Sequence, residues 1–385
     1  MKIKTLETKQ IKNKTVLLRV DFNVPIKKGK IKDETKIIAA LPTIRFLLRY
    51  QAKIIIITHL GDPKGKKDKN LSTAPLAKRL ASIIGKNHKV YFSEELAGNK
   101  TKALIKKAKA GEIVFLENLR FDKGEEKNDP VFAKKIASLA EVYVNEAFSV
   151  CHRKHASVSA VKKYLPAFCG FLLGQEVKML DHVMKPTKPL VVLMGGAKIN
   201  TKINLIKNLE KKASQILIGG GLANTFFKAQ GFEIGKSLFD KDGLKIAKGL
   251  LKNKKIILPV DAVVSTSPDG VPTVKKIKDV KKDEAIFDIG PETIRLYSKI
   301  IKGAKTLAWN GPLGMFEKDA FKHGTVALAT LIAARSRGKT FGVVGGGETI
   351  EAINMTKMQG YVDWVSTGGG AMLSYLGGEK MPGLQ

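Results

Sequence analysis

The residues best suited to chemistry in this chain sit immediately after short apolar runs. TVLLRV (15–20) leads into Asp21, Phe22 and Asn23, and KIIIIT (53–58) leads into His59. EIVFL (112–116) leads into Glu117, Asn118 and Arg120, and EVYV (141–144) into Asn145, Glu146, His152 and Arg153. Groups that bind hydroxyls, Asp21 and Asn23, thus stand beside the cations Arg120, Arg153 and His59. Guanidinium is the natural partner of an oxyanion because its planar fork binds in bidentate fashion. A single such residue is most simply a strand-end cap or a surface ion pair. Recurrence at several strand ends favours a pocket for a small hydroxy acid bearing phosphate and carboxylate.

The second half carries glycine at the equivalent places: GGAK (195–198), GGG (219–221), GPLG (311–314), GGGET (345–349) and GGG (368–370). Glycine lets backbone N–H groups approach a phosphate, and a following helix adds its N-terminal dipole. One such turn is weak evidence, but five of them after apolar runs point to a nucleotide phosphate site. GFEIGKS (231–237) imitates a phosphate-binding P-loop, yet it has three residues rather than four between its glycines, and no strongly apolar strand directly precedes it. The absence of a GxGxxG with a later acidic residue counts against a dinucleotide oxidoreductase. In His152-Arg153-Lys154-His155 the two residues between the imidazoles are cationic and repel a divalent ion, so zinc is disfavoured.

These residues need a scaffold that delivers strand ends to one edge. Apolar runs of four to eight residues alternate with lysine-rich amphipathic stretches, continuing through PLVVLM (189–194), QILI (215–218), KIILPV (255–260), KTLAW (305–309) and TFGVV (340–344). Continuous β-branched runs of this kind are buried parallel strands of βαβ units, joined by right-handed crossovers. The expected fold is α/β, with ligands at the carboxyl ends of the strands. A chain of 385 residues exceeds one hydrophobic core, and the seam between domains is expected between 165 and 190, where a helical stretch is closed by Pro186 and Pro189.

Composition limits the function classes. Apolar residues at 44% and charged residues at 27% describe a globular chain, with no apolar run long enough to span a bilayer and no secretory signal. Cys151 and Cys169, without a CxxC, suggest a reducing cytoplasm. The net charge of +33 would attract polyanions. The excess lysine is spread over both halves without interleaved aromatics, however, so no dedicated nucleic-acid surface is expected.

Ten motifs, in order, resemble phosphoglycerate kinases: LRVDFNVP (18–25), THLGDPKG (58–65), LENLRF (116–121), NEAFSVCHRKHAS (145–157), GGAKINTKI (195–203), GGGLANTF (219–226), DIGPET (288–293), WNGPLGMFE (309–317), GGGETIEAI (345–353) and STGGGAM (366–372). The resemblance implies two doubly wound, Rossmann-like parallel-sheet domains joined by a hinge helix. They would comprise a phosphoglycerate-binding domain (1–168), a hinge helix and linker (169–188), a nucleotide-binding domain (189–366) and a C-terminal segment returning to the first domain (367–385). It implies reversible phosphoryl transfer between 1,3-bisphosphoglycerate and ADP, giving 3-phosphoglycerate and ATP, by a monomeric cytoplasmic enzyme without membrane partners. Asp21, Phe22, Asn23, Lys36, His59, Leu60, Gly61, Asp62, Arg120 and Arg153 would contact the acid. Lys198, Lys202, Glu317, Gly346, Gly347, Glu348 and Thr349 would contact the nucleotide, with Mg2+ on its phosphates and on Glu348. Lys36, Lys202, Gly346 and Gly369 would be catalytic, with Gly369 and Gly370 opening a helix toward the transferred group.

Some positions depart from the family's motifs. Lys36 and Asp62 stand where arginines are usual, Glu146 and Glu348 where aspartates are, Ser149 where glycine is, and Thr201 where many members have aspartate. A lost bidentate contact worth about 1.5–3 kcal/mol would slow the enzyme roughly 10- to 100-fold per site, with Lys64 and Lys66 as offsets. The rival expectation is a weakened kinase fold serving as a basic anion-binding scaffold. The intact glycine turns and Lys202 argue against it.

Overall fold

The computed structural model describes residues 4–27, 29–200 and 202–385; Thr201 lies outside them. The chain divides into two compact units, residues 1–177 with 380–385, and residues 178–379. The division falls inside the helix Phe171–Met184.

The first unit is built on six parallel strands: β1 (Thr15–Arg19), β2 (Lys53–Ile57), β3 (Val90–Ser93), β4 (Ile113–Leu116), β5 (Val142–Asn145) and β6 (Ala167–Cys169), in the order β3-β4-β2-β1-β5-β6. Alternate residues of the central strands supply two separate cores. Val16, Leu18, Ile54, Ile56 and Phe115 pack with Ile37, Ile44 and Leu47 of the helix Thr35–Arg49 on one face. Leu17, Ile55, Ile57, Val114 and Leu116 pack with Phe132 and Ile136 on the other. Both faces are covered, which is why the interiors of these strands are apolar at successive positions rather than at alternate ones.

In the second unit β7 (Leu190–Met194), β8 (Gln215–Ile218) and β9 (Ile256–Ile257) come first. A three-stranded antiparallel sheet follows, formed by β10 (Asp261–Ser265), β11 (Thr273–Lys276) and β12 (Ala285–Ile289). Then come β13 (Thr306–Asn310), β14 (Phe341–Gly345) and β15 (Trp364–Ser366). The parallel sheet runs β9-β8-β7-β13-β14-β15. Counted within the unit this is the order 3-2-1-4-5-6 of dinucleotide-binding sheets, which reverses direction between β7 and β13 and leaves a crevice beyond their carboxyl ends. Val191, Leu193, Leu307, Trp309 and Val344 pack against Tyr297, Ile301, Leu328 and Ile332 on one face. KIILPV, expected as a full strand, contributes only Ile256–Ile257; Pro259 has no N–H to continue the ladder. The helix Gly370–Leu376 and Glu379 belong to the second unit, and Lys380–Gln385 to the first.

A candidate acid-binding cluster and a glycine-lined cavity

The carboxyl ends of β1, β2, β4 and β5 bring the first unit's polar residues together. Asp33 Oδ1 accepts from Thr35 N (2.8 Å) and Thr35 Oγ1 (2.6 Å), fixing the turn that opens the helix Thr35–Arg49. Lys36, in the first turn of that helix, places Nζ 2.7 Å from Asp21 Oδ2. Ser149 Oγ donates to the same oxygen, and Asn23 N donates to Asp21 Oδ1 at 3.0 Å. Burial alone would raise the Asp21 carboxyl's pKa. The neighbouring His59 ring, 4.0 Å away, then the Lys36 ammonium and the hydrogen bonds from Lys36 and Ser149, reverse this and hold it well below the usual carboxylate range.

His59 was expected as a cation, and here the structure corrects the expectation. Its ring is buried, and its Nδ1 lies 3.2 Å from Arg19 Nη2. Guanidinium only donates, so Nδ1 accepts and the ring proton sits on Nε2. Burial, and then the Arg19 charge, push the imidazole pKa well below its ordinary value, so His59 is a neutral N–H donor. Arg19 is itself buried, with Nε on Ser157 Oγ at 2.9 Å. Ser157 Oγ donates to the buried Glu125 Oε1 at 2.6 Å. Sequence reasoning did not single out Arg19, because its side chain leaves a strand interior that looks like core.

Asn118 laces the loop after β2. Its Oδ1 accepts from Leu60 N (3.2 Å), and its Nδ2 donates to Leu60 O (2.7 Å) and Leu71 O (2.9 Å). Gly61, at φ +60°, gives its N–H to Asn23 Oδ1 (2.9 Å), while its carbonyl accepts from Arg120 Nη1 (2.7 Å). Phe22 and Leu60, expected at the acid, have buried side chains, and Phe22 N is bonded to Thr58 Oγ1 at 3.0 Å. Both side chains thus pack in the interior beside the loops that carry Asp21 and His59. Arg120 is buried; its Nε lies 3.1 Å from Glu126 Oε1 but makes no aligned hydrogen bond. Asp62 is exposed, 3.9 Å from Arg120 Nη1. Burial lowers the Arg153 pKa, as does the nearby Arg120, while Glu126, Asp21 and Asp62 oppose the shift, so Arg153 shares the field of this cluster.

Glu146 sits behind the cluster. It is buried, accepts from Thr43 Oγ1, and takes Leu172 N (3.1 Å) and Leu173 N (3.3 Å) at the first turn of the helix Phe171–Met184. Burial pushes its carboxyl up to about 7 against those hydrogen bonds. Burial raises the thiols too, Cys151 to about 12 and Cys169 to about 11, which leaves both unreactive.

In the second unit the crevice between β7 and β13 is a cavity of about 440 Å³. Its walls include Gly196, Gly220, Gly221, Leu313, Glu317 and Glu348. The turns are tied to one another by backbone bonds: Gly196 N to Pro312 O (2.9 Å), Gly220 N to Leu313 O (2.8 Å) and Leu222 N to Gly196 O (2.7 Å). Glycine is required here by contact. A Cβ on Gly195 would stand 1.9 Å from Pro312 O, and one on Gly311, at φ +92°, would stand 2.4 Å from Gly195 O. Lys202 is buried, and a Cβ on Gly196 would be 3.3 Å from its Nζ. Burial lowers its pKa, while the Glu348 carboxylate opposes that shift.

Thr349, expected at the nucleotide, is buried and accepts from Gly311 N at 2.7 Å, so its hydroxyl holds the neighbouring turn. Lys198 is exposed, and neither it nor Gly346, Gly347, Gly369 or Gly370 is among the cavity's wall residues. Gly346 opens the helix Gly347–Met355 at φ +103°, and Gly369 opens Gly370–Leu376 at φ +50°. The antiparallel sheet and its loops add residues the sequence did not reveal, among them Ser267, Phe287 and Asp288. Asp288 is buried, accepting from Gly324 N (2.7 Å) and Ile289 N (2.9 Å), and burial raises it to about 7. In GFEIGKS, Ser237 Oγ is occupied by Ile234 O and Ile286 N, while Lys236 lines the cavity.

Comparison with known proteins agrees with this geometry. The family model described as phosphoglycerate kinase matches residues 6–379. A phosphoglycerate kinase of Moorella thermoacetica is 45% identical, with 99% of this chain and 98% of the relative covered. One from Thermosipho africanus is 44% identical, with 99% and 96% covered. Among solved structures, phosphoglycerate kinase from Coxiella burnetii superposes with a TM-score of 0.86 at 40% identity, covering 97% of this chain and 96% of that one. The enzyme from Pyrococcus horikoshii gives 0.85 at 33%, covering 99% and 98%. The chain belongs to the phosphoglycerate kinase family.

Proposed function

We propose that the protein transfers a phosphoryl group reversibly between 1,3-bisphosphoglycerate and ADP, giving 3-phosphoglycerate and ATP. The observation that carries this reading is the division of labour between the units. One presents side-chain donors around an ionised carboxylate, and the other a cavity walled by glycine turns. The acid's hydroxyl takes Asp21 and Asn23. Its phosphate and carboxylate take Arg120, Arg153 and the Nε2–H of His59, with Gly61 holding the loop through its bonds to Asn23 and Arg120. Glu317 takes the nucleotide ribose, and Lys198, Lys202 and the turn Gly346–Gly347 take its phosphates.

In the ATP-forming direction an ADP oxygen attacks phosphorus, the P–O bond to the acyl oxygen breaks, and that oxygen leaves as carboxylate. In the reverse direction the carboxylate attacks and ADP leaves. Little covalent chemistry is left to the protein. Lys202 and Lys36 neutralise the oxygens of the moving group, and exclusion of water protects the acyl phosphate from hydrolysis. Among the described residues no group of three or more His, Cys, Asp or Glu side chains could cage a metal. Glu348 at the phosphate turn fits a magnesium ion held mostly by nucleotide phosphates and water. When bound, that ion neutralises charge on the phosphates.

Among the described residues no helix is long and apolar enough to cross a membrane. The proposal extends to a monomer acting in the cytoplasm. Mixing the protein with ATP, magnesium and 3-phosphoglycerate should drive NADH consumption through a coupled reductase. No consumption, together with steeply salt-dependent retention on RNA, would establish the scaffold instead.

A further inference from the structure

Asp21 is held by two side chains on one oxygen. Lys36 Nζ and Ser149 Oγ both donate to Oδ2, while Oδ1 accepts only the Asn23 N–H among its aligned donors. A carboxylate offers about four lone-pair directions, two on each oxygen. Oδ2 is therefore filled, and Oδ1 keeps one direction for a ligand.

The two donors on Oδ2 differ in kind. Lys36 is a point charge on a flexible four-carbon stem, and its side chain is 31% exposed. It can turn its ammonium toward an arriving oxyanion. Ser149 has a single χ angle before its hydroxyl and sits in the short 3-10 turn Phe148–Val150, between two buried residues. Val150 N donates to Ala147 O (3.2 Å) and Cys151 N to Phe148 O (2.9 Å), which fixes the backbone that carries it. Without Ser149, a Lys36 that swung away would leave the Asp21 carboxylate with a single aligned donor, the Asn23 N–H, and the His59 ring 4.0 Å from Oδ1.

We propose that Ser149 is a positioning residue: its hydroxyl keeps the Asp21 carboxylate aimed, with Oδ1 open to the substrate hydroxyl, while Lys36 moves its charge onto the reacting oxyanion. The inference rests on the phosphoglycerate reading above. Its consequence is specific to one functional group of the substrate, since Ser149 matters only through the hydroxyl that Asp21 receives.

The test is calorimetric binding and steady-state kinetics of the full chain, its Ser149→Ala variant and its Ser149→Thr variant. Two ligands are compared: 3-phosphoglycerate, and 3-phosphooxypropanoate, which lacks the 2-hydroxyl. Ser149→Ala should weaken 3-phosphoglycerate by about 2- to 12-fold, the range for one net hydrogen bond. KM should carry that change, with kcat within about 2-fold, by the rule that ground-state binding lost without transition-state loss appears in KM. Ser149→Thr should restore affinity, and the deoxy analogue should bind both proteins alike. Equal affinity of wild type and Ser149→Ala for 3-phosphoglycerate would overturn the proposal. So would tighter binding by the variant, which would mark Ser149 as a competitor for Asp21. An equal penalty for both ligands would reduce the role to pocket structure and overturn it as well. If the wild type binds neither compound, the substrate assignment falls and takes the inference with it. Wild-type binding with no Ser149 effect sinks the inference alone.

Discussion

Asp62 poses the sharpest quantitative question in the first unit. An acidic residue beside a pocket for a phosphorylated acid should repel its ligand, and the sequence alone suggested a loss of roughly 10- to 100-fold, as for a missing bidentate contact. The structure reduces that figure. The Asp62 side chain is 60% exposed, and its Oδ1 lies 3.9 Å from Arg120 Nη1. With water on most sides, two unit charges at that separation interact by about 1 kcal/mol, and measured surface pairs fall between about 0.2 and 1 kcal/mol. The cost to the substrate is that Arg120 is partly neutralised before the ligand arrives. Removing the charge in Asp62→Asn should lower KM for 3-phosphoglycerate by about 2- to 5-fold, the factor for 0.4–1 kcal/mol. Asp62→Arg reverses a charge, and twice that energy gives about 4- to 30-fold.

The assay is initial velocity against 3-phosphoglycerate at about 0.01 M and about 1 M salt, where the Debye length shrinks from about 30 Å to about 3 Å. Both gains should fall toward unity at high salt, because the interaction is solvent-exposed and screened. Either of two results would refute this reasoning. Gains that persist undiminished at high salt would mean that Asp62 acts through a buried, direct contact. No gain at low salt would mean that Arg120 is engaged by Glu126 and Gly61 alone.

Two further outcomes follow from the same geometry. The folded-state pKa of Glu146 is raised from 4.5 to about 7, so the folded protein holds a proton that the unfolded chain has lost. Its stabilisation is full below about 4.5 and disappears as pH rises through about 7, an effect on the order of 3 kcal/mol for a shift of this size. Denaturant titrations from pH 5 to 8 should therefore show the first unit weakening, and Glu146→Gln should flatten that trend; an unchanged slope would count against a proton on Glu146. Gly311→Ala forces a Cβ to 2.4 Å from Gly195 O at φ +92° and should cost at least about 2 kcal/mol of stability. A left-handed backbone alone costs a residue bearing a Cβ about 1–2 kcal/mol. A loss of stability under about 0.5 kcal/mol, well short of that backbone cost, would show that the turns can relax.

What was legible in the sequence was the interior of each sheet and the residues directly after it. β1, β2 and β4 announce themselves because both of their faces are buried, and Asp21, His59 and Arg120 follow them at short, fixed distances. The edges were not legible. β3, β6 and β15 are short and half-buried, so VYFS, AFC and WVS carry no continuous apolar signal. In the antiparallel sheet TVKK of β11 is mostly exposed and carries no apolar signal, while the more buried β10 and β12 are short segments that include Asp261 and Asp288. Partnerships at long sequence separation were equally hidden. Ser149 meets Asp21 across 128 positions, and Thr43 meets Glu146 across 103. Sequence showed Ser149 and Glu146 only as unusual residues in familiar motifs. The structure gives each a job: one steadies a carboxylate and the other caps a helix.

The two units differ in what their sites are built from. The first recognises its ligand with side chains, whose charge and reach can be redistributed among neighbours: Lys36 still reaches Asp21 at 2.7 Å, and Ser149 adds a second donor to the same oxygen. The second builds its cavity from backbone, with turns so close that a methyl group would overlap a carbonyl oxygen at Gly195 or Gly311. A side-chain change there leaves the wall standing, but a Cβ in the wall does not. Lys36, Asp62, Glu146, Ser149, Glu348 and Thr201, the residues expected to depart from the family's motifs, all lie outside the glycines of the second unit's turns. Substitutions tolerated in the acid-binding cluster should thus be offset locally by hydrogen bonds, as with Lys36 and Ser149. The second unit's cavity has no such recourse, because the placement of its turns depends on the absence of side chains at Gly195 and Gly311.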